Sequence, residues 1–187
     1  EFPTVSLRLH AEALGAVIAL VQDGQAGLGI AGPLARDAKD IERVTAGSVT
    51  LVPVAAPDHP LARMHPMPPG AGREHIQLVL SDRSRVSEGQ DFAVMSPRTW
   101  RLADLGAKHA LLREGIGWGN MPLPLVEPDL VAGTLVRLDM RDDIGGTYRF
   151  HAIYRPAAPP GPAASWLMEQ FVADGAAHRP FPALPDL

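Results

Sequence analysis

The stretch "AGLGIAGP", residues 26–33, decides how the first part of the chain folds, because its glycines are compatible with two different structures. Gly27, Gly29 and Gly32 have the G-x-G-x-x-G spacing that dinucleotide-binding proteins place under a pyrophosphate. That motif requires a strand before the first glycine and a helix after the third. Here a helical pattern precedes Gly27, and Pro33 follows Gly32. The stretch is therefore interpreted as a short core strand with its end at Gly32 and Pro33, and not as a nucleotide loop.

The segments before this stretch show one strand pattern and one helix pattern. Apolar and polar residues alternate over 4–10, which predicts a strand with one buried face. Apolar residues at helical spacing predict a helix over 12–23, which Gly24 caps. The short strand follows at 28–31. Strands joined through a helix by short connections are expected to be parallel.

The rest of the chain continues as α/β. Strands are predicted at 41–57, 76–82, 98–104, 116–120, 135–138 and 148–154, and helices at 105–114, 122–132 and 163–175. Asp104 is placed to cap the N-terminus of the helix at 105–114, and Gly115 to end it. The side chains of the last helix that are predicted to face inward are Trp166, Leu167, Phe171 and Val172.

Composition excludes several classes of protein. Of the 187 residues, 46% are hydrophobic and 20% are charged, which is typical of a folded globular chain. The absence of cysteine excludes disulfides and thiolate chemistry. A net charge of −4 without a run of Lys or Arg argues against a nucleic-acid-binding surface in this segment. No apolar stretch is long enough to span a bilayer and no secretory leader is present, so we expect a cytoplasmic location.

The histidines give little support for a metal site. His59, His65 and His75 lie in a loop rich in Pro and Gly, but their spacing matches no known pattern of metal ligands. Solvated loop histidines are the better interpretation. We expect neither a metal nor a cofactor.

Two other stretches are candidates for ligand contact. Ser81 and Asp82 follow a buried strand, and the carboxyl ends of strands are where open α/β sheets bind ligands. The alternative is plain turn capping. In "GIGWGN", residues 115–120, Trp118 and Asn120 could contact a ligand, or the glycines could simply allow close packing of the backbone.

Four pieces of the sequence together resemble the effector-binding domain of LysR-type transcriptional regulators. They are "FPTVSLRLH" (2–10), "LVQDGQAGLGI" (20–30), "LVPVAAPDHPLA" (51–62) and "LLREGIGWGNMPLPLVEPDLVAGTLVRL" (111–138). They resemble the family's P-x-V-x-L strand, its helix-to-strand turn, its H-P-L-A hinge exit and its G-x-G…P…G-x-L-V segment. The sequence departs from the family at Gly27, where the pattern has Asp.

The resemblance implies an α/β fold of two Rossmann-like lobes, the type 2 periplasmic-binding-protein architecture. The first lobe would comprise 1–55 and about 156–187, and the second would comprise 56–155. The family's domain opens with a strand and a helix before "FPTVSLRLH", and an N-terminal winged helix-turn-helix precedes that. We expect that this chain comes from a longer protein or completes its sheet with another chain.

The resemblance also implies a function, namely the sensing of a small effector by a bacterial transcription factor. Effector-binding positions carried over from the family are Gly32, Pro33, Ala56, Ser81, Asp82, Trp118, Asn120 and Met121. Self-association as a dimer or tetramer would use strand 4–10 and helix 105–114, and DNA would be bound only through the N-terminal domain. No catalytic residue is predicted. The alternatives are a periplasmic-type solute-binding protein and an enzyme of the same two-lobe fold, although no nucleophile or carboxylate pair supports the latter.

Overall fold

The computed structural model describes residues 2–82, 84, 86, 93–140 and 145–177, which form one mixed sheet flanked by helices. In chain order the elements are α1 Gly15–Gln22, β1 Gly29–Ala31, β2 Glu42–Ala55, β3 Gln77–Leu80, β4 Thr99–Leu102, α2 Leu105–Arg113, β5 Trp118–Pro122, α3 Leu123–Ala132, β6 Val136–Arg137, β7 Gly146–Tyr154 and α4 Pro162–Ala177. Within these residues no helix is both long and apolar enough to cross a membrane.

The long strand β2 belongs to both halves of the sheet. The strand order is β1-β7-β2-β5-β3-β4, with β6 paired to β2 off this path. Residues 42–51 of β2 pair antiparallel with β7, and residues 51–55 pair antiparallel with β5. The first half of the sheet therefore carries β1 and α1, and the second half carries β3, β4, β5 and the helices α2 and α3. This mixed α/β architecture confirms the predicted fold class.

Each half has its own apolar core. In the first half, Ile18 and Val21 of α1 pack with Ala31 and Ile153. In the second half, a larger cluster lies beneath α2 and α3. Its buried members are Val52, Val54, Leu78, Leu112, Met121, Val126 and Leu135. A third cluster surrounds Trp118 in the same half. Val86, which follows β3, packs against the first cluster, but the buried members of the clusters are separate, and the paired strands β2 and β7 connect the halves.

The predicted strand over 4–10 is wrong. Residues 4–10 form no strand, and the apolar side chains that were expected to be buried are exposed: Val5 to 55%, Leu7 to 73% and Leu9 to 84%. The physical reason is that no strand among the described residues pairs with this segment, so its backbone has no ladder to join. The expected parallel pairing to β1 is also wrong, because the one partner of β1 among the described strands is β7, which is antiparallel to it.

Local signals at the helix ends are confirmed. The Oδ1 atom of Asp104 accepts a hydrogen bond from the backbone N–H of Ala107 at 2.6 Å. Gly24 and Gly115 follow α1 and α2 with φ of +74° and +76°, which favours glycine at a helix end. On α4, however, the prediction for Phe171 is wrong. This side chain is 40% exposed, because the face of α4 that is turned inward passes through residues 168, 172 and 175.

A buried carboxylate ties α3 to α2. Asp129 accepts hydrogen bonds from His109 Nε2 at 2.7 Å and from Thr134 Oγ1 at 2.7 Å, and it forms an ion pair with Arg113 Nε at 3.1 Å. The bond from Thr134 is the largest cause that lowers the pKa of Asp129. Burial opposes that shift, while His109 and Arg113 add to it. The charged form of Asp129 therefore stabilises the second half of the sheet.

Replacing Asp129 tests this network. We expect Asp129→Asn to lower the free energy of unfolding by about 1 to 2 kcal/mol at neutral pH, since Arg113 loses its ion pair and His109 and Thr134 lose a carboxylate acceptor. Because the folded-state pKa lies below the unfolded value, the contribution is complete above the ordinary aspartate pKa and is lost as the pH falls through the folded value. The variant should therefore lose less stability on acidification than the parent in urea titrations. Glu127→Gln, an exposed position on the same helix, is the control. Equal effects of both substitutions would contradict the assignment.

Candidate functional site

The start of α1 and the end of β1 lie at the same edge of the first half. The short connection from α1 to β1 reverses the chain, and α1 packs directly on the strand. A Cβ atom built on Gly29 would lie 3.0 Å from the side chains of both Val17 and Val21. Gly32 and Pro33 follow β1 directly, three and four residues after Gly29. Gly32 is buried and Pro33 is exposed, so this edge opens to solvent at the proline.

A carboxylate from the second half of the sheet caps α1. The Oδ2 atom of Asp82, which follows β3, accepts a hydrogen bond from the backbone N–H of Ala16 at 2.7 Å. Leu14, at the N-cap position of α1, has φ of 49° and supplies no side-chain cap. Ser84 Oγ also donates to Asp82 Oδ2, at 3.0 Å. Since the N-terminus of a helix carries partial positive charge, the carboxylate stabilises α1 and holds the two halves together.

Tyr148 contributes a hydroxyl group to the same edge. A Cβ atom on Gly32 would overlap the phenol oxygen of Tyr148, so that oxygen lies directly over the Gly32 backbone. Tyr148 is half-buried, and burial raises the pKa of its phenol, which is therefore protonated at neutral pH. Among the described residues its hydroxyl has no hydrogen-bond partner. Tyr148 was not predicted from the sequence, because only the register of β7 against β1 and β2 reveals that it lies near Gly32.

The positions carried over from the family fall into two groups. The structure places Gly32, Pro33, Ser81 and Asp82 at the ends of β1 and β3, where the two halves meet. It places Ala56, Trp118 and Met121 in the core, at 3%, 0% and 0% exposure. The indole of Trp118 donates a hydrogen bond to the carbonyl of Gly72 at 3.0 Å. The side chains of the second group therefore contact protein and are closed to a ligand in this conformation.

Ala56 and Trp118 also lie at the far end of the second half. Ala55 pairs with Trp118, whereas Leu51 pairs with Pro122 at the opposite end of β5. The end of β5 that is nearest the first half is therefore Pro122. Ala56 and Trp118 belong to the other end.

Asn120 is intermediate between the two groups. It is half-buried, and its side-chain Oδ1 atom is buried without a hydrogen-bond partner among the described residues. An unpaired buried acceptor is costly, and a donor supplied by a ligand would relieve that cost. Asn120 is therefore compatible with ligand contact, as the sequence analysis expected.

A buried lysine supports this strand from α2. Lys108 is 5% exposed, and its Nζ atom donates a hydrogen bond to the backbone carbonyl of Asn120 at 2.7 Å. Burial lowers the pKa of Lys108 to about 8. The lysine lies against Gly119, since a Cβ atom there would be 3.0 Å from Lys108 Cε and 2.7 Å from the carbonyl oxygen of Leu78. Gly119 thus allows close packing, which is the structural alternative for the glycine-rich strand. The sequence analysis missed Lys108.

The loop histidines are only partly as expected. His59 is 7% exposed and is therefore not solvated. Its Nδ1 atom accepts a hydrogen bond from the backbone N–H of Leu61 at 3.2 Å. Its ring contacts that of His75 edge-on, with centroids 5.2 Å apart. Burial first, and then the neighbouring His75, lower the pKa of His59. Across the described ranges, no group of three or more His, Cys, Asp or Glu residues could hold a metal ion.

Several solved structures have a fold similar to that of this chain. The regulatory domain of MetR from N. meningitidis, as a double cysteine-to-serine variant, has a TM-score of 0.70 at 18% identity over 96% of this chain and 85% of that one. The effector-binding domain of QuiR in complex with shikimate has a TM-score of 0.67 at 18% identity, covering 89% and 79%. Full-length LysG from Corynebacterium glutamicum with bound effector Arg has a TM-score of 0.63 at 17% identity. This chain is covered to 94% in that comparison, and it spans 59% of LysG. At these identities the likeness establishes the fold alone.

The comparison with family models is more specific. No curated protein matches the chain. The family model described as the LysR substrate binding domain matches residues 1–176, which is nearly the whole chain. The pattern of sequence and the fold agree with this match, and the chain therefore belongs to the LysR substrate binding domain family.

Proposed function

We propose that this chain is the ligand-sensing part of a LysR-type transcription factor and that a small effector binds where the two halves of the sheet meet. The observation that carries the proposal is the hydrogen bond of Asp82 to the start of α1, which bridges the two halves. Asp82 offers a carboxylate on the α1 face of the sheet, and Tyr148 offers a phenol hydroxyl over the backbone of Gly32. Such an arrangement suits noncovalent recognition of a small polar molecule.

The geometry supports a closure mechanism. The bond between Asp82 and Ala16 can exist only when the two halves approach each other, and β2 and β7 are the strands about which they would move. An effector changes this equilibrium only through its different affinity for the open and closed forms. Contacts made to both halves at once provide that difference.

The remaining parts of the proposal follow the family. LysG was solved with arginine and QuiR with shikimate, and we propose that this chain likewise binds a small polar effector without chemical conversion. We propose the two lobes at 1–55 with about 156–187 and at 56–155, except that β7 belongs to the first lobe, because it pairs with β1 and Ile153 packs against α1. Self-association, a cytoplasmic location and DNA binding through a separate N-terminal domain complete the proposal.

The first experiment tests effector binding at Tyr148. In a thermal-shift screen of small metabolites, we expect one chemical class to raise the melting temperature in a saturable manner, because a ligand that binds only the folded form stabilises it. Tyr148→Phe should weaken that ligand by about fivefold, the value of one neutral hydrogen bond, and leave the ligand-free stability nearly unchanged. Tyr154→Phe, on the same strand at the end paired with Glu42, should bind as the parent does. A screen without stabilising metabolites, or equal losses in both variants, would contradict the proposal.

The second experiment tests the closure contact. We expect Asp82→Ala to increase the radius of gyration measured by small-angle X-ray scattering and to speed hydrogen exchange of the Ala16 amide, since the helix loses its only side-chain cap from the described residues. Asp104→Ala is the matched control, because Asp104 caps α2 within the second half. It should speed exchange in α2 and leave the radius of gyration unchanged. Unaltered scattering and exchange in the Asp82 variant would exclude Asp82 as the contact that holds the halves together.

A further inference from the structure

The strands that join the two halves carry polar residues along one face. In the β2–β7 ladder, Thr45 lies opposite His151, Ser48 opposite Arg149, and Thr50 opposite Thr147. A bulge between Thr45 and Gly47 inserts one extra residue, so positions 45, 48 and 50 share a face even though they are not evenly spaced. We call this set the polar strip: Thr45, Ser48, Thr50, Thr147, Arg149 and His151.

The polar strip is on the same face of the sheet as α1. Ile153 shares a face with His151 because strand side chains alternate, and Ile153 packs against α1. Beyond Ile153 the apolar contacts give way to exposed or half-buried polar residues. The strip therefore begins beside the end of β1 and runs toward the second half, along the strands about which closure would occur.

Three arginines surround the start of the strip. Arg43 shares a face with Thr45, and its Nη1 atom donates to the carbonyl oxygen of Ala35 at 3.1 Å and to that of Arg36. Arg36 lies in the short turn Pro33–Asp37 that follows β1, and Arg149 is part of the strip itself. We call Arg36, Arg43 and Arg149 the arginine cluster.

The charges of the cluster converge on His151. Burial lowers the pKa of His151, and the guanidinium groups of Arg43, Arg36 and Arg149 lower it further, in that order. The groups that face this imidazole thus come from β2, from the turn after β1 and from its own strand. The three guanidinium groups form one cationic region around a neutral imidazole, although the chain carries a net charge of −4.

Among the described residues, no ion pair joins Arg36, Arg43 or Arg149 to a carboxylate. Asp129 forms its ion pairs with His109 and Arg113 in the other half of the sheet. Glu42 is adjacent to Arg43 in sequence but alternates to the opposite face. Asp82 is hydrogen-bonded to the start of α1 and to Ser84. All three arginines of the cluster are exposed, so their charge is available to a ligand.

We propose that the polar strip and the arginine cluster hold an anionic group of the effector, a carboxylate or a phosphate. This inference rests on the proposed function and specifies its ligand class. The guanidinium groups of Arg149 and Arg36 offer planar donor pairs that match either oxyanion, and Arg43 is already oriented by its two backbone acceptors. The hydroxyl groups of Thr45 and Ser48 would bind the neutral part of the molecule.

Titration with simple anions tests the inference. Sodium phosphate and sodium succinate are each compared with sodium chloride at equal ionic strength by calorimetry and thermal shift, which also separates the two kinds of oxyanion. We expect saturable binding of at least one of them and an increase of about tenfold in Kd for Arg149→Ala, since a charge-assisted contact is lost. Arg137→Ala is the control, an exposed arginine on β6 in the other half, and should bind as the parent does.

A measurement on the unmodified chain guards against a variant that fails to fold. In an NMR titration, the pKa of His151 should rise when the anion binds, because the negative charge favours the imidazolium form. An unchanged pKa of His151, or equal anion binding by the Arg149 and Arg137 variants, would overturn the inference.

A neutral or cationic metabolite that binds in a manner sensitive to Tyr148→Phe, together with no binding of phosphate or succinate, would refute the anion site and leave the proposed function intact. Without any stabilising metabolite, the proposed function fails, whereas arginine-dependent anion binding would still support the anion site.

Discussion

The antiparallel pairing of β2 with β7 is the interaction on which the rest of the structure depends. It extends over residues 42–51 of β2, and the same strand then continues into the second half, where it pairs with β5 and β6. Because the two halves have separate cores, this ladder fixes their relative orientation. The bulge beside Gly47, whose φ is +120°, is its one irregularity, and Gly175 of α4 packs directly against Gly47 there. A helix is thus held against the point at which the joining strand is irregular.

The same pairing creates the candidate site. It brings Tyr148 over Gly32, places the polar strip beside the end of β1, and leaves the end of β3 close enough for Asp82 to cap α1. Negative charge at Asp82 is directed to a helix N-terminus, and positive charge remains around His151. The carboxylate of Asp82 therefore joins the two halves, and the exposed arginines form the anion site that we propose.

Local signals in the sequence predicted most of the elements but less of the site. Asp104, Gly24 and Gly115 were recognisable because a helix cap is decided within a few residues of the helix end. The strand predicted over 4–10 failed because alternation describes a strand that has a neighbour, and this segment has none among the described residues. Trp118 was placed at the site from family position, yet its side chain lies in the core, since only the packed structure shows which face of β5 is covered.

By itself, the sequence determined the α/β class, the helix ends, and the interpretation of "AGLGIAGP" as a strand and not a nucleotide loop. Its motifs also indicated the LysR family to which the chain belongs. These properties depend on periodicity and on caps, which act over short distances along the chain. Only the tertiary structure decided that Gly32 lies beneath Tyr148, that Asp82 caps a helix in the other half, and that Arg43 reaches the turn after β1 from the strand that pairs with His151. Those contacts depend on strand register, and register is set by pairing between residues that are distant in sequence and by one inserted residue at a bulge.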